Sequence, residues 1–119
     1  GNSLDPIERN LIGDVKGKNV VIVDDMCDTA GTLTKAADLM MKHSALSVRA
    51  ICTHPVLSGP AYERIANSSL QELIVTDSIP LRTDVDTSKI TVLPVHDMFA
   101  QTLRCLMANK SISSQFTLQ

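Results

Sequence analysis

At 119 residues the chain is sized for one domain, and folding at that length buries roughly two-thirds of the unfolded surface. A composition 44% hydrophobic and 20% charged excludes a disordered tail, and a net charge of −2 excludes the broad basic surface that nucleic acid requires. No apolar run is long enough for a membrane span and no basic segment leads into an apolar one near the start, so the expectation is a cytoplasmic protein with neither nucleic acid nor membrane as partner.

In chain order, the polar "GNSLDPIERN" reads as a tag remnant or loop over residues 1–10, ahead of a domain over 11–119. Val20–Val23 is a continuous β-branched run ending in acids, the pattern of a central parallel strand buried on both faces. Leu33, Ala36, Ala37, Met40 and Met41 then recur at helical spacing, with Lys35, Asp38 and Lys42 on the other face. "SVRAICT", 47–53, is a second strand; Gly59-Pro60 opens a short helix to about Asn67; "LIVT", 73–76, is a third strand. The polar stretch 77–89 is a loop, and "ITVLPV", 90–95, is a fourth strand, placed at an edge or terminus by Pro94. Phe99, Leu103, Leu106 and Met107 mark a third helix, with Asp97 as its cap, and the closing "NKSISSQFTLQ" is a polar tail whose "SISS" by itself reads as a solvated terminus. Strands alternating with helices predict an α/β fold with a parallel sheet, about four strands and three helices in all.

One stretch carries chemistry. In "VVIVDDMCDTAGTLTKAADLMM" an apolar strand leads to Asp24 and Asp25, then to the turn Asp28-Thr29-Ala30-Gly31-Thr32, then to an amphipathic helix. Such a turn lies at the carboxyl end of a parallel strand, where ligands of open α/β sheets bind. Its backbone N–H groups and the first N–H groups of the helix can converge on one anion; Thr29 and Thr32 add hydroxyls, Ala30 adds little bulk, and Gly31 permits close approach. Ionised Asp24 and Asp25 only accept hydrogen bonds, which suits the vicinal hydroxyls of a ribose or the water on Mg²⁺, with no direct metal ligand implied. A phosphate at one end and hydroxyls at the other describe a sugar phosphate. The plainer alternative is that Asp28 or Thr29 caps the helix and the acids are solvated.

Other residues rank lower. Cys27, Cys52 and Cys105 are odd in number and widely spaced, which fits reduced thiols without a function. "THPVLSGP" places His54 and Ser58 at a strand end, either as a plain strand-to-helix turn or as a second ligand or subunit site; no acid partner for His54 is evident. His43 and His96 read as a helix-end residue and a turn residue, and no His or Cys spacing makes a zinc site.

The detailed form of the central stretch resembles the phosphoribosyl diphosphate binding motif of type I phosphoribosyltransferase folds. Nucleobase phosphoribosyltransferases usually carry an Ala-Thr-Gly-Gly-Thr version, whereas Asp28-Thr29-Ala30-Gly31-Thr32 is similar to the ribose-phosphate pyrophosphokinase form. "THPVLSGPAYERI", "VTDSIPL" and "KSISSQF" also resemble that family's C-terminal region, so the likeness runs from about Ile12 to Phe116. It implies transfer of diphosphate from ATP to the anomeric hydroxyl of ribose 5-phosphate, with Mg²⁺, in a homo-oligomer. By resemblance, Asp28, Thr29, Ala30, Gly31 and Thr32 hold the 5-phosphate, Asp24 and Asp25 hold the ribose hydroxyls, and Ser111 and Ser113 match a regulatory phosphate site. Ser114 and Gln115 stand where some family versions carry larger apolar residues.

The family's ATP residues and principal metal residues lie in a first domain, and a loop with catalytic basic residues precedes the motif. The chain is therefore expected to be a late part of the second domain, with no catalytic residue of its own and inactive alone. Half of a doubly wound domain is also expected to leave one sheet face bare. Two alternatives are a nucleobase phosphoribosyltransferase, opposed by Asp28 and the tail, and a non-catalytic regulatory subunit, opposed by the intact phosphate loop.

Overall fold

The computed structural model describes residues 14–94, 108 and 114–117, the last stretch as backbone. Five parallel strands form one sheet: β1 (Asn19–Cys27), β2 (Ser47–Pro55), β3 (Glu72–Thr76), β4 (Ile90–Leu93) and β5 (Ser114–Thr117), in the order β4-β3-β2-β1-β5. Helix α1 (Gly31–Lys42) links β1 to β2, and α2 (Ala61–Asn67) links β2 to β3. The predicted third helix and its cap Asp97 lie outside the described residues, as do Cys105, His96, Ser111 and Ser113.

The four expected strands are present, with β1 and β2 running further than their apolar cores suggest. Pairing continues through Asp24↔Cys52, Met26↔His54 and Cys27↔Pro55, so both acids belong to the strand. A fifth strand, which the polar tail did not predict, joins the four. Ser114–Thr117 pairs with Val20–Val23. An edge strand needs only backbone hydrogen bonds to one neighbour, so a short segment with one apolar residue, Phe116, can join a sheet without an apolar run to announce it.

Both helices pack on one face of the sheet. Leu33, Ala36, Ala37 and Met40 of α1 and Ala61, Tyr62 and Ile65 of α2 meet Val20, Ile22, Val48, Ala50, Leu73 and Val75 in the main core. The opposite face carries a smaller cluster of Val21, Ile51 and Ile74, each no more than 3% exposed. The face expected to be bare is thus buried at these positions. A polar row fixes strand register at the amino-terminal end of the sheet, away from the loops. Ser47 Oγ donates to Asn19 Oδ1 (2.8 Å), Arg49 Nε lies 3.5 Å from Glu72 Oε1, and Thr91 Oγ1 donates to Glu72 Oε2 (2.6 Å).

The strand order locates a crevice. From β1 the chain moves by way of α1 to β2, β3 and β4 on one side, while β5 flanks β1 on the other. A parallel sheet whose connections leave a strand in opposite directions has its topological switch point there, and ligands bind at the carboxyl ends beside it. Register with β5 runs from Val20↔Ser114 to Val23↔Thr117, just short of Asp24.

Candidate functional site

The turn after β1 borders a cavity of about 170 Å³ lined by Asp24, Met26, Cys27, Asp28, Thr29, Ala30, Gly31, Thr32 and Leu33. Six of the seven residues singled out in the sequence are therefore brought together. The seventh, Asp25, is turned elsewhere: its Oδ1 lies 3.8 Å from Nε2 of His54. Consecutive strand positions project to opposite faces, so the two adjacent acids leave β1 on opposite sides. His54 thus has the acid partner that its sequence neighbourhood did not reveal.

The loop is held by its carbonyl groups. The Cys27 carbonyl accepts from Leu57 N–H (3.0 Å), that of Asp28 from Ser58 N–H (2.9 Å), and that of Thr29 from Arg64 Nη1 (3.1 Å). The Ala30 carbonyl accepts both the Thr34 N–H (3.0 Å) and the Thr34 hydroxyl (2.6 Å). Four successive carbonyls are thus engaged by the scaffold. The peptides are trans, so each following N–H points the other way along its peptide plane. The turn after β2 supplies two of these anchors, from Leu57 and Ser58, and Ser58 Oγ also hydrogen-bonds Asp28 Oδ1. "THPVLSGP" is therefore a strand-to-helix turn that braces the first one.

Neither Asp28 nor Thr29 caps α1. The N-cap is Ala30, in the left-handed region at φ 62°, ψ 13°, with no side-chain cap. A non-glycine residue there costs on the order of 1 kcal/mol and persists where its surroundings over-determine it, as the doubly bonded Ala30 carbonyl does. Without a side-chain cap, the N–H groups of Gly31, Thr32 and Leu33 have no intrahelical acceptor and remain at the positive end of the helix dipole, on the cavity lining.

The space beside Gly31 is taken by a different group than expected. A Cβ at this position would stand 3.1 Å from Arg64 Nη1 and 3.9 Å from Thr29 Oγ1. The group approaching Gly31 from that side is a guanidinium, so glycine makes room for the loop's own support. Nothing in "GPAYERI" signals this, because Arg64 is an exposed residue on a short helix. Ser58 lay in a segment already noted, but its contact with Asp28 spans 30 residues and has no local pattern.

Cys27, under the loop, is buried, and burial pushes its thiol up to about 12, assisted by Cys52 and by the Asp24 and Asp28 charges, against a hydrogen bond from the Ala30 N–H. Burial likewise raises Cys52 to about 11. Both stay protonated at neutral pH, which suits packing and not nucleophilic or thiolate chemistry. Among the described residues no group of three or more His, Cys, Asp or Glu side chains is placed to hold a metal ion. No helix among them is long and apolar enough to cross a membrane.

A family model described as phosphoribosyl synthetase-associated domain matches residues 4–117. A ribose-phosphate pyrophosphokinase of Helicobacter hepaticus is 56% identical over 107 residues, which is 90% of this chain and 34% of that protein. One of Campylobacter jejuni is 52% identical over the same length, with the same coverage. The crystal structure of phosphoribosylpyrophosphate synthetase from Mycobacterium smegmatis superposes with a TM-score of 0.68 at 40% identity, covering 82% of this chain and 33% of that one. The chain thus spans about a third of the length of these relatives. A partial α/β domain of parallel strands, a structural match at 40% identity and a family model spanning nearly every residue lead to one conclusion: the chain belongs to the phosphoribosyl synthetase-associated domain family.

Proposed function

We propose that this chain is the ribose 5-phosphate-binding part of a ribose-phosphate pyrophosphokinase, the enzyme that moves diphosphate from ATP to ribose 5-phosphate. One observation carries the reading: the four carbonyls from Cys27 to Ala30 are taken by the scaffold, so the loop meets the cavity with donors. A rigid set of N–H groups at a helix start favours a phosphate without reorganisation when it arrives. The names of the similar proteins supply the substrate pair.

Within that reading Asp28, Thr29, Ala30, Gly31 and Thr32 cradle the 5-phosphate. Asp24, on the same cavity, accepts from a ribose hydroxyl and orients the sugar. Asp25 acts beside it through His54, or through water. Asp24 and Asp25 meet Mg²⁺ through its water shell. Charge develops on the transferred phosphates, where carboxylates would oppose it, and no Lys or Arg lines this cavity. The cationic groups for transfer, the ATP site and the homo-oligomeric assembly belong to the rest of the proposed enzyme.

Calorimetric titration with ribose 5-phosphate and, separately, inorganic phosphate tests the division of labour. Thr32→Ala is expected to weaken both ligands about tenfold or more, the loss of one hydrogen bond to a charged group. Asp24→Ala is expected to weaken ribose 5-phosphate and leave inorganic phosphate unweakened. Equal affinities for wild type and Thr32→Ala would reject the phosphate assignment, and an Asp24→Ala chain that binds the sugar phosphate normally would reject the ribose assignment.

A further inference from the structure

Three of the four carbonyl anchors come from the backbone of the neighbouring turn or from α1 itself, and are set by the fold. The fourth is a side chain. Arg64 projects from α2, a helix seated by Ala61, Tyr62 and Ile65, each no more than 6% exposed, so the start of its long side chain is fixed by the core. Its Nη1 donates to the Thr29 carbonyl at 3.1 Å across 35 residues of sequence. The same nitrogen occupies the space beside Gly31, 3.1 Å from where a Cβ would be.

The peptide joining Thr29 to Ala30 is the one on which the left-handed turn pivots. Its carbonyl faces Arg64, and its N–H is directed at the Cys27 thiol. Fixed at both ends, this plane dictates where the next three N–H groups open. We infer that Arg64 is a positioning residue for the anion loop: it locks the Thr29–Ala30 peptide from a second helix, and Gly31 is glycine so that this guanidinium can enter. The anion-binding side of this inference rests on the function proposed above. The guanidinium bonds the back of the loop, on the Thr29 carbonyl, and Arg64 does not itself line the cavity, so it orients the donors without being one of them.

The test uses the 119-residue chain with Arg64→Ala, Arg64→Lys, Gly31→Ala and the double variant Gly31→Ala/Arg64→Ala. Two readouts are taken: affinity for inorganic phosphate, and, without ligand, the NMR signals of the Thr29 carbonyl carbon and the Ala30 amide. Arg64→Ala is expected to weaken phosphate about tenfold and to displace both signals, with partial recovery in Arg64→Lys, which keeps the charge and a rotatable ammonium donor group but not the planar fork. Gly31→Ala weakens phosphate in the presence of Arg64 and adds less than about twofold in its absence, because the atom its methyl meets is gone. Effects that simply multiply, or Thr29 and Ala30 signals unmoved by Arg64→Ala, overturn the inference. If wild type binds no phosphate, the functional proposal fails while the NMR signals still decide the role of Arg64: displacement sustains it and constancy removes it.

Discussion

Thr76 closes β3 with a buried hydroxyl, and replacing it separates hydrogen bonding from packing. Only 1% exposed, its Oγ1 donates to the Thr53 carbonyl of β2 at 2.6 Å and accepts from the Ser78 N–H at 3.1 Å. Ser78 Oγ reaches the same Thr53 carbonyl at 3.1 Å. Thr76→Val conserves volume and puts a methyl where the donor stood. The Thr53 carbonyl keeps its weaker partner, while the Ser78 N–H loses its acceptor. The lost bond to Thr53 and the lost contacts with the Ser78 N–H and hydroxyl, the latter at 2.8 Å, together cost about 2 kcal/mol. Thr76→Ser keeps the hydroxyl and removes one buried methyl, at about 1 kcal/mol. Urea unfolding at an unchanged m-value then places the Val variant's midpoint roughly 1 M or more below wild type and the Ser variant's between them. The order of the two variants decides the matter: a Val variant as stable as wild type, with Ser the weaker, would show that Thr76 is held by packing and that the hydroxyl network adds nothing.

Ser58→Ala removes the hydroxyl on the Asp28 carboxylate at an exposed site, so a stability loss of about 1 kcal/mol or less is expected, with ribose 5-phosphate affinity reduced by loosening of the loop; unfolding and titration curves that match wild type would dismiss the brace. Raised pH should destabilise the chain through its thiols. Above the unfolded value of 9.0 the unfolded state ionises while folded Cys27 holds its proton to about 12 and Cys52 to about 11. The unfolded state then binds fewer protons and stability falls across that window, by about 1.4 kcal/mol per pH unit for each thiol. Cys27→Ala should be weaker at neutral pH yet flatter between pH 9.0 and 11 in thermal melts, and an equally steep decline would contradict the assignment. Finally, the purified chain with ATP, ribose 5-phosphate and Mg²⁺ is expected to release no AMP, because its cavity offers no cation to the moving phosphates; release near the rate of a full-length relative would reveal a nucleotide site in this part of the protein.

Much of this was legible in residue order. The β-branched run at Val20–Val23, the helical spacing from Leu33 to Met41 and the alternation of strands with helices are local patterns, produced by side chains meeting a core at periods of two or 3.6 residues. The order of strand, acid pair, short hydroxyl-rich turn and helix likewise placed Asp24 and Asp28 to Thr32 around one cavity, because a strand-to-helix turn brings its own neighbours together. What the tertiary structure alone decided has no local signature. Ser114–Thr117 became a strand through backbone groups that every residue carries, and with it came the strand order that makes the carboxyl end of β1 a switch point. Asp25 found His54 from the neighbouring strand, Asp28 found Ser58, and Thr29 found Arg64 from a helix 35 residues away. Those partners are fixed by the register of β1 on β2 and by the seating of α2 on the sheet. An exposed Ser or Arg looks the same in sequence whether it meets water or a loop carbonyl, and only closure of the fold distinguishes the two.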